Sequence, residues 1–250
     1  MLSLLDITLT ELMLALTGAF IMGFAKTGLP GLALINVIIM AQLFGAKESI
    51  GIVLPLLVFC DFVIYPIYHK YASWKKVWPL LPPTIIGVIL GSWILESVPD
   101  ETMKSIIGWT IAGMVVLQVI QARSQQLLAK LPNSMGFLIG AGLTIGVSTT
   151  MANAAGPAFS IWALIRRLSK EDFLGIGARY FLFVNLLKLP FFKHAEVVSQ
   201  RTLLIDLALL PAVILGILIG RQVIKRLPQK SFEWVLFALC LAGALWLILG

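Results

Sequence analysis

Apolar residues in this chain run in unbroken blocks and do not alternate with polar ones. The blocks Ser49–Tyr68, Val77–Leu95, Met103–Gln121, Phe173–Phe192, Leu203–Ile224 and Phe232–Leu249 each hold about 18 to 22 residues. At about 1.5 Å per residue, a helix of that length crosses a hydrocarbon core of about 30 Å. Continuous runs predict helices and not barrel strands, because a helix satisfies its own backbone groups in lipid. Two further stretches, Thr8–Phe44 and Asn133–Ile165, are equally apolar but broken by glycine and proline. The breaks read Lys26-Thr27-Gly28-Leu29-Pro30-Gly31 and Ser148-Thr149-Thr150-Met151-Ala152-Asn153-Ala154-Ala155-Gly156-Pro157. Beyond them, Gly31–Phe44 and Gly156–Ile165 are too short to span comfortably, so each stretch is expected to be a helical hairpin. A re-entrant hairpin fits both, and two full crossings also fit the first.

The pattern repeats. Leu80–Pro99 and Leu209–Pro228 share seven of 20 positions, including both glycines of a GxxxG pair, where roughly two matches are expected by chance. Asp61 and Pro66 match Asn185 and Pro190, Lys47-Glu48 resembles Lys170-Glu171, and Phe20–Gly23 resembles Phe137–Gly140. The expected fold is an all-α polytopic membrane protein of two repeats, 1–132 and 133–250. Each is a Gly/Pro-broken helical hairpin followed by three transmembrane helices. A hairpin that returns to its starting side leaves three crossings per half, an odd number, so the halves are inverted.

Composition agrees: 59% of the 250 residues are apolar, 12% are charged, and mean hydropathy is +0.97. That is too little polar surface for a soluble domain. The formal charge of +7 is explained by basic loops on the cytoplasmic side, which removes the reason to expect nucleic acid. With the N-terminus outside, cytoplasmic loops hold Lys70, Lys75, Lys76, Arg123, Lys130, Arg166, Arg167, Lys170, Arg221, Lys225, Arg226 and Lys230. Outside loops hold Lys47, Lys104, Lys193 and Arg201. Asp6 and Glu11 stand where a cleavable signal has basic residues, so the first apolar run is expected to be retained. Cys60 and Cys240 lie in apolar runs and read as packing residues; no metal-ligand spacing and no cofactor motif is present.

Three basic residues fall inside membrane segments: Lys26, Arg179 and Lys188. A charge in that setting is paired, solvated or functional. Lys26 adjoins the first break, where half-helix ends with free N–H groups favour anions. Lys188 lies three residues after Asn185, on the same helical face. Arg179 sits nearer the cytoplasmic end, where packing or pairing serves as well as function. Asp61 is the one acid well inside a span. It can carry a coupling proton or cation, or pair with Lys26 or Lys188. Asp206 begins a span and is expected at the interface. His69 and His194 flank helix ends and read as solvated; Trp74, Trp78, Trp93 and Trp109 read as an interfacial belt.

The motifs around the breaks are GFAKTGLPGLALINVIIM, TTMANAAGPAFSIWAL and KEDFLGIGARYFLFVNLLKLPFF. With the repeat, they resemble the sulfite exporter TauE/SafE family, the four-toluene sulfonate uptake permease group, over nearly the whole chain. The departure is Leu29-Pro30-Gly31 where the wider family has Gly-Gly-Gly. The resemblance implies transport of sulfite, organosulfonates, related oxyanions or small carboxylates across the bacterial cytoplasmic membrane. Lys26, Thr27, Gly28, Thr149, Thr150, Asn153, Gly156, Asn185 and Lys188 fall in the signature motifs and form the expected substrate set, with Asp61 and Arg179 as coupling or ion-pair residues. Expected partners are the bilayer, a small anion, a coupling proton or sodium ion and, as one option, a second copy of the chain. The alternatives are a scaffold subunit or a passive anion channel; an intramembrane enzyme would need a nucleophile–base pair that the sequence does not offer. Single cysteines at Ser3 or Gly250, in a background lacking Cys60 and Cys240, are expected to react with impermeant reagents from outside. Labelling from the cytoplasmic side only would overturn the inverted topology.

Overall fold

A computed structural model describes residues 7–27, 30–128, 130–223 and 240–249, and the apolar runs within them are helical. Helix α1 (Leu9–Ala25) starts at Thr8, whose hydroxyl and the Glu11 carboxylate form a capping box. A 3₁₀ turn, Pro30–Leu32, leads to α2 (Ala33–Phe44), and Gly45 at φ 82° links it to α3 (Ala46–Tyr68). Short turns Trp74–Val77 and Trp78–Leu80 lead into α4 (Leu81–Ser97), followed by α5 (Asp100–Arg123). After the single turn Gln125–Leu128 come α6 (Met135–Ala152), α7 (Gly156–Ile165), α8 (Lys170–His194), α9 (Gln200–Val223) and α10 (Cys240–Leu249). Ser134 and Ser169 cap α6 and α8 by accepting from the backbone N–H groups three residues on, those of Phe137 and Asp172.

Among the described residues six helices are long and apolar enough to cross a membrane: α3, α4 with its lead-in, α5, α6, α8 and α9. The chain is therefore an all-helical multi-pass membrane protein. Gly28, Lys225, Arg226, Pro228, Lys230 and the first half of the block Phe232–Leu249 lie outside the described residues.

The broken stretches form unequal hairpins. α1 and α6 have 17 and 18 residues, about 25 and 27 Å. Their returning arms α2 and α7 have 12 and 10 residues, about 18 and 15 Å. Gly18 of α1 faces Asn36, Ile39 and Met40 of α2, so the arms run antiparallel. Asn153 ends α6 in the left-handed conformation, φ 49°, where its short polar side chain is tolerated. Pro157 starts α7, where a missing N–H costs nothing.

The closest helix contacts cross between the two stretches of chain. α4 packs on α6, and α9 packs on α1. A Cβ at Gly87 would lie 2.6 Å from the Leu143 carbonyl oxygen, and one at Gly216 2.2 Å from that of Phe20. Both GxxxG pairs thus allow backbone contact. α3 and α8 cross between these pairs. One apolar core gathers α1, α9 and faces of α2 and α3; the larger one is dominated by α4 to α8 with α10.

Gly23 meets Val213 and Ile217, while Gly146 meets Thr84 and Val88, which are their counterparts in the aligned segments. Gly140, which resembles Gly23 in its sequence setting, faces open space and makes no such contact. One expectation changes. Asp206 is 6% exposed, buried in the bundle and not water-facing; its place at the start of a span had suggested an interfacial position. Gly216→Ala is expected to cost about 1–3 kcal/mol through overpacking. Gly113→Ala, which meets nothing within 4 Å, should stay within about 0.5 kcal/mol. Thermal unfolding in detergent compares the two, and equal stability would remove the backbone contact as a determinant.

Candidate functional site

Asp61 and Asn185 are each the sixteenth residue of their helices, α3 and α8. The helices run antiparallel, so equal depth from opposite ends brings the two side chains together at the crossing. Asn185 Nδ2 donates to Asp61 Oδ2 at 2.6 Å. The other carboxylate oxygen accepts from Lys26 Nζ at 2.5 Å. Lys26 caps the end of α1, and its ammonium lies 5.1 Å from the Phe181 ring centre. The alternatives left open by sequence are thereby narrowed: Asp61 pairs with Lys26, not with Lys188.

Lys188 lies one helical turn beyond Asn185 and is wholly buried. Its ammonium donates to the Thr149 carbonyl at 3.0 Å, the Thr149 hydroxyl at 3.1 Å and Asn153 Oδ1 at 2.7 Å. These acceptors belong to the last turn of α6, where four carbonyls lack intrahelical donors and the helix dipole favours a cation. Asn153 Nδ2 in turn donates to the Ile50 carbonyl at 3.3 Å. The second break is thus held by one buried lysine and one asparagine.

A cavity of about 880 Å³, counting its open mouth, lies between the breaks. Lys26, Asp61, Thr149, Asn153, Gly156 and Asn185 line it, with Phe159, Phe173 and Phe181 as its aromatic wall. It reaches Tyr68 and Leu174, at the ends of α3 and α8 beside Lys75, Lys76, Arg166 and Arg167. Toward the other face its lining stops at Met22, Leu57 and Asn185, and beyond them Gly51 packs on the Val197 backbone. Ala155 and Gly156 at the cavity wall begin α7, whose first-turn N–H groups have no acceptors within the helix.

Thr27, Thr150 and Lys188 stand behind this lining. Thr27 Oγ1 donates to Phe24 O and Thr150 Oγ1 to Gly146 O. Arg179 is drawn away from it. Its guanidinium donates to Ala72 O, His69 O and the Tyr65 hydroxyl at 2.7, 2.9 and 3.1 Å, and stacks near Tyr65 and Trp74. It therefore ties the α3–α4 loop to α8. Sequence reasoning missed the aromatic wall and Gln118, whose side chain lies against Gly31 of the first break. A lone glutamine in an apolar run was the signal available for the second; phenylalanines in an apolar helix gave none.

An all-helical multi-pass protein with a charged cavity at the meeting point of two interrupted helices belongs among the membrane transporters. The family model described as sulfite exporter TauE/SafE matches residues 14–247, and the chain belongs to that family. It is a family of multi-pass inner-membrane transporters of sulfur anions. No curated protein and no solved structure matches the chain.

Asp61→Ala is expected to destabilise the protein by about 3–5 kcal/mol, because it strands the Lys26 charge. The double change Asp61→Leu with Lys26→Met should recover most of that loss, since a well-packed apolar pair replaces a buried ion pair at little cost. Thermal unfolding of the single and double variants tests this. A double variant no more stable than the single one would show that the pair is not the unit that matters.

Proposed function

We propose that the chain moves a small sulfur-containing anion across the cytoplasmic membrane by alternating access at the cavity between the two breaks. The observation that carries this reading is Lys26: a cation at a helix break, lining the cavity, with one N–H on Asp61 and two left for a ligand. Thr149 and Asn153 line the same space, and the α7 N-terminus adds backbone N–H groups. Such donors suit a sulfur oxyanion. Gly28 joins this set through its place in the motif.

The two-fold organisation, 1–132 against 133–250, belongs to this proposal. It is supported by paired contacts. Glu48 pairs with Arg201, and Asp172 with Lys76 at 2.5 Å. In each case an acid in the first turn of α3 or α8 meets a base at the start of the following helix of the other half. Gly51 against Val197 and Gly175 against Ala72 are a second such pair. In the conformation described, the cavity extends toward the face with the basic loops, which the charge distribution assigns to the cytoplasm. Rocking of the α1–α9 and α4–α6 pairs about the α3–α8 crossing would expose it to the other side.

Export of one negative charge gains about 2.3 kcal/mol per 100 mV of interior-negative potential. Uptake needs a coupled cation. Asp61 is the group for that role, because a proton on its carboxylate would release Lys26 to the substrate.

Radiolabelled sulfite flux in proteoliposomes tests the proposal. Wild-type protein should give saturable flux, and Lys26→Ala should reduce it at least tenfold, about 1.4 kcal/mol or more of lost interaction. A non-saturating flux would favour a passive channel. No flux in well-folded protein would favour a scaffold subunit.

A further inference from the structure

Around the cavity nearly every hydrogen-bonding group finds its complement within the protein. Lys188 has three N–H groups and three acceptors. Asp61 offers one oxygen to Lys26 and the other to Asn185. Asn153 accepts from Lys188 and donates to Ile50. Beside Asp61 two side-chain capacities stay open. Lys26 keeps N–H groups without acceptors among the described residues, and Asn185 Oδ1 has no donor although the residue is only 1% exposed.

The direction of the Asn185 amide follows from its neighbour. Turning it over would set Oδ1 against Asp61 Oδ2, an oxygen against an oxygen, so the carbonyl end is the one left open. Lys26 and Asn185 both line the cavity and are joined by the same carboxylate. An open donor and a buried, unmatched acceptor therefore flank Asp61. The charge balance is equally specific. One ammonium and one carboxylate, Lys26 and Asp61, line the cavity, whereas Lys188 stands behind it with its N–H groups taken. Arg179, further along α8, is held by two carbonyls and a hydroxyl of the α3–α4 segment.

We propose that the cavity selects a singly charged oxyanion that carries its own hydrogen-bond donor. An anionic oxygen meets Lys26, and an O–H or N–H of the same ligand meets Asn185 Oδ1. The inference rests on the proposed anion transport and adds the protonation state and pattern of the anion. A sulfite ion fits as its hydrogen form, and a sulfonate fits when a hydroxyl or ammonium group lies close to the sulfur. A dianion without a proton is disfavoured twice: its second charge finds no cation, and its lone pairs face Asn185 Oδ1. Leaving that acceptor unmet discriminates against a ligand more sharply than a missing methyl group would.

The test is calorimetric binding to the purified full-length protein with 2-hydroxyethanesulfonate, ethanesulfonate, sulfate and sulfite. The hydroxylated sulfonate should bind about tenfold more tightly than ethanesulfonate, and sulfate more weakly than either. Apparent sulfite affinity should fall as rising pH removes the hydrogen form. Over the same range, 2-hydroxyethanesulfonate, which does not titrate, reports any change in the protein. In Asn185→Ala the preference for the hydroxyl should vanish; should that variant not fold, the wild-type ratio decides alone. Equal binding of the two sulfonates, or sulfate binding as well as the hydroxylated one, overturns the donor requirement while leaving anion binding intact. Binding of none of the four overturns the transport reading, and this inference with it.

Discussion

The Asp61 carboxylate is the joint on which the rest of the molecule turns. It accepts from Lys26 on α1 and from Asn185 on α8, and so ties a broken helix to the crossing of the two central ones. In lipid such a group has no water to fall back on, and each partner left out would be a charge or dipole without compensation. The position of the first break, the depth of the cavity and the register of α3 against α8 all follow from keeping that carboxylate satisfied. Lys188 does the same for the second break by other means, binding the oxygen atoms that end α6. One break is held by an ion pair and the other by a cation on a helix terminus. The asymmetry matters because Lys26 keeps N–H groups for a ligand, whereas all three of Lys188 are taken.

Much of this was legible in the sequence, and for definable reasons. Membrane helices announce themselves by length and apolarity, so the spans and broken stretches could be placed before any contact was known. A charge inside such a span is expensive, which singled out Lys26, Asp61 and Lys188 as residues with work to do. Partner choice was not legible. Whether Asp61 meets Lys26 or Lys188 depends on a helix crossing, and no local pattern encodes that. Asp206 misled because a place near the start of a span does not reveal which helix covers a given face. Arg179 was ambiguous for the same reason: its partners are carbonyl oxygens, which every residue has and no sequence motif marks.

The lining also shows how little of the cavity wall is polar. Aromatic rings and small residues form most of the wall, and charge is confined to a single cluster. At each end of the α3–α8 crossing a glycine presses on backbone, Gly51 on Val197 and Gly175 on Ala72. Such a contact can be made and broken without stranding a polar side chain.

The exchange of partners between distant segments has a consequence for how the protein is made. α1 leaves the ribosome early, yet the helix that covers its glycine face, α9, follows only after most of the chain. Lys26 likewise enters the membrane 35 residues ahead of the carboxylate that neutralises it. During synthesis α1 therefore carries an unpaired charge and an uncovered packing surface. Its hairpin has to wait near the aqueous path of the insertion machinery until α3 arrives, and reaches its final depth only when α9 closes over it. The finished cavity is the last thing to form.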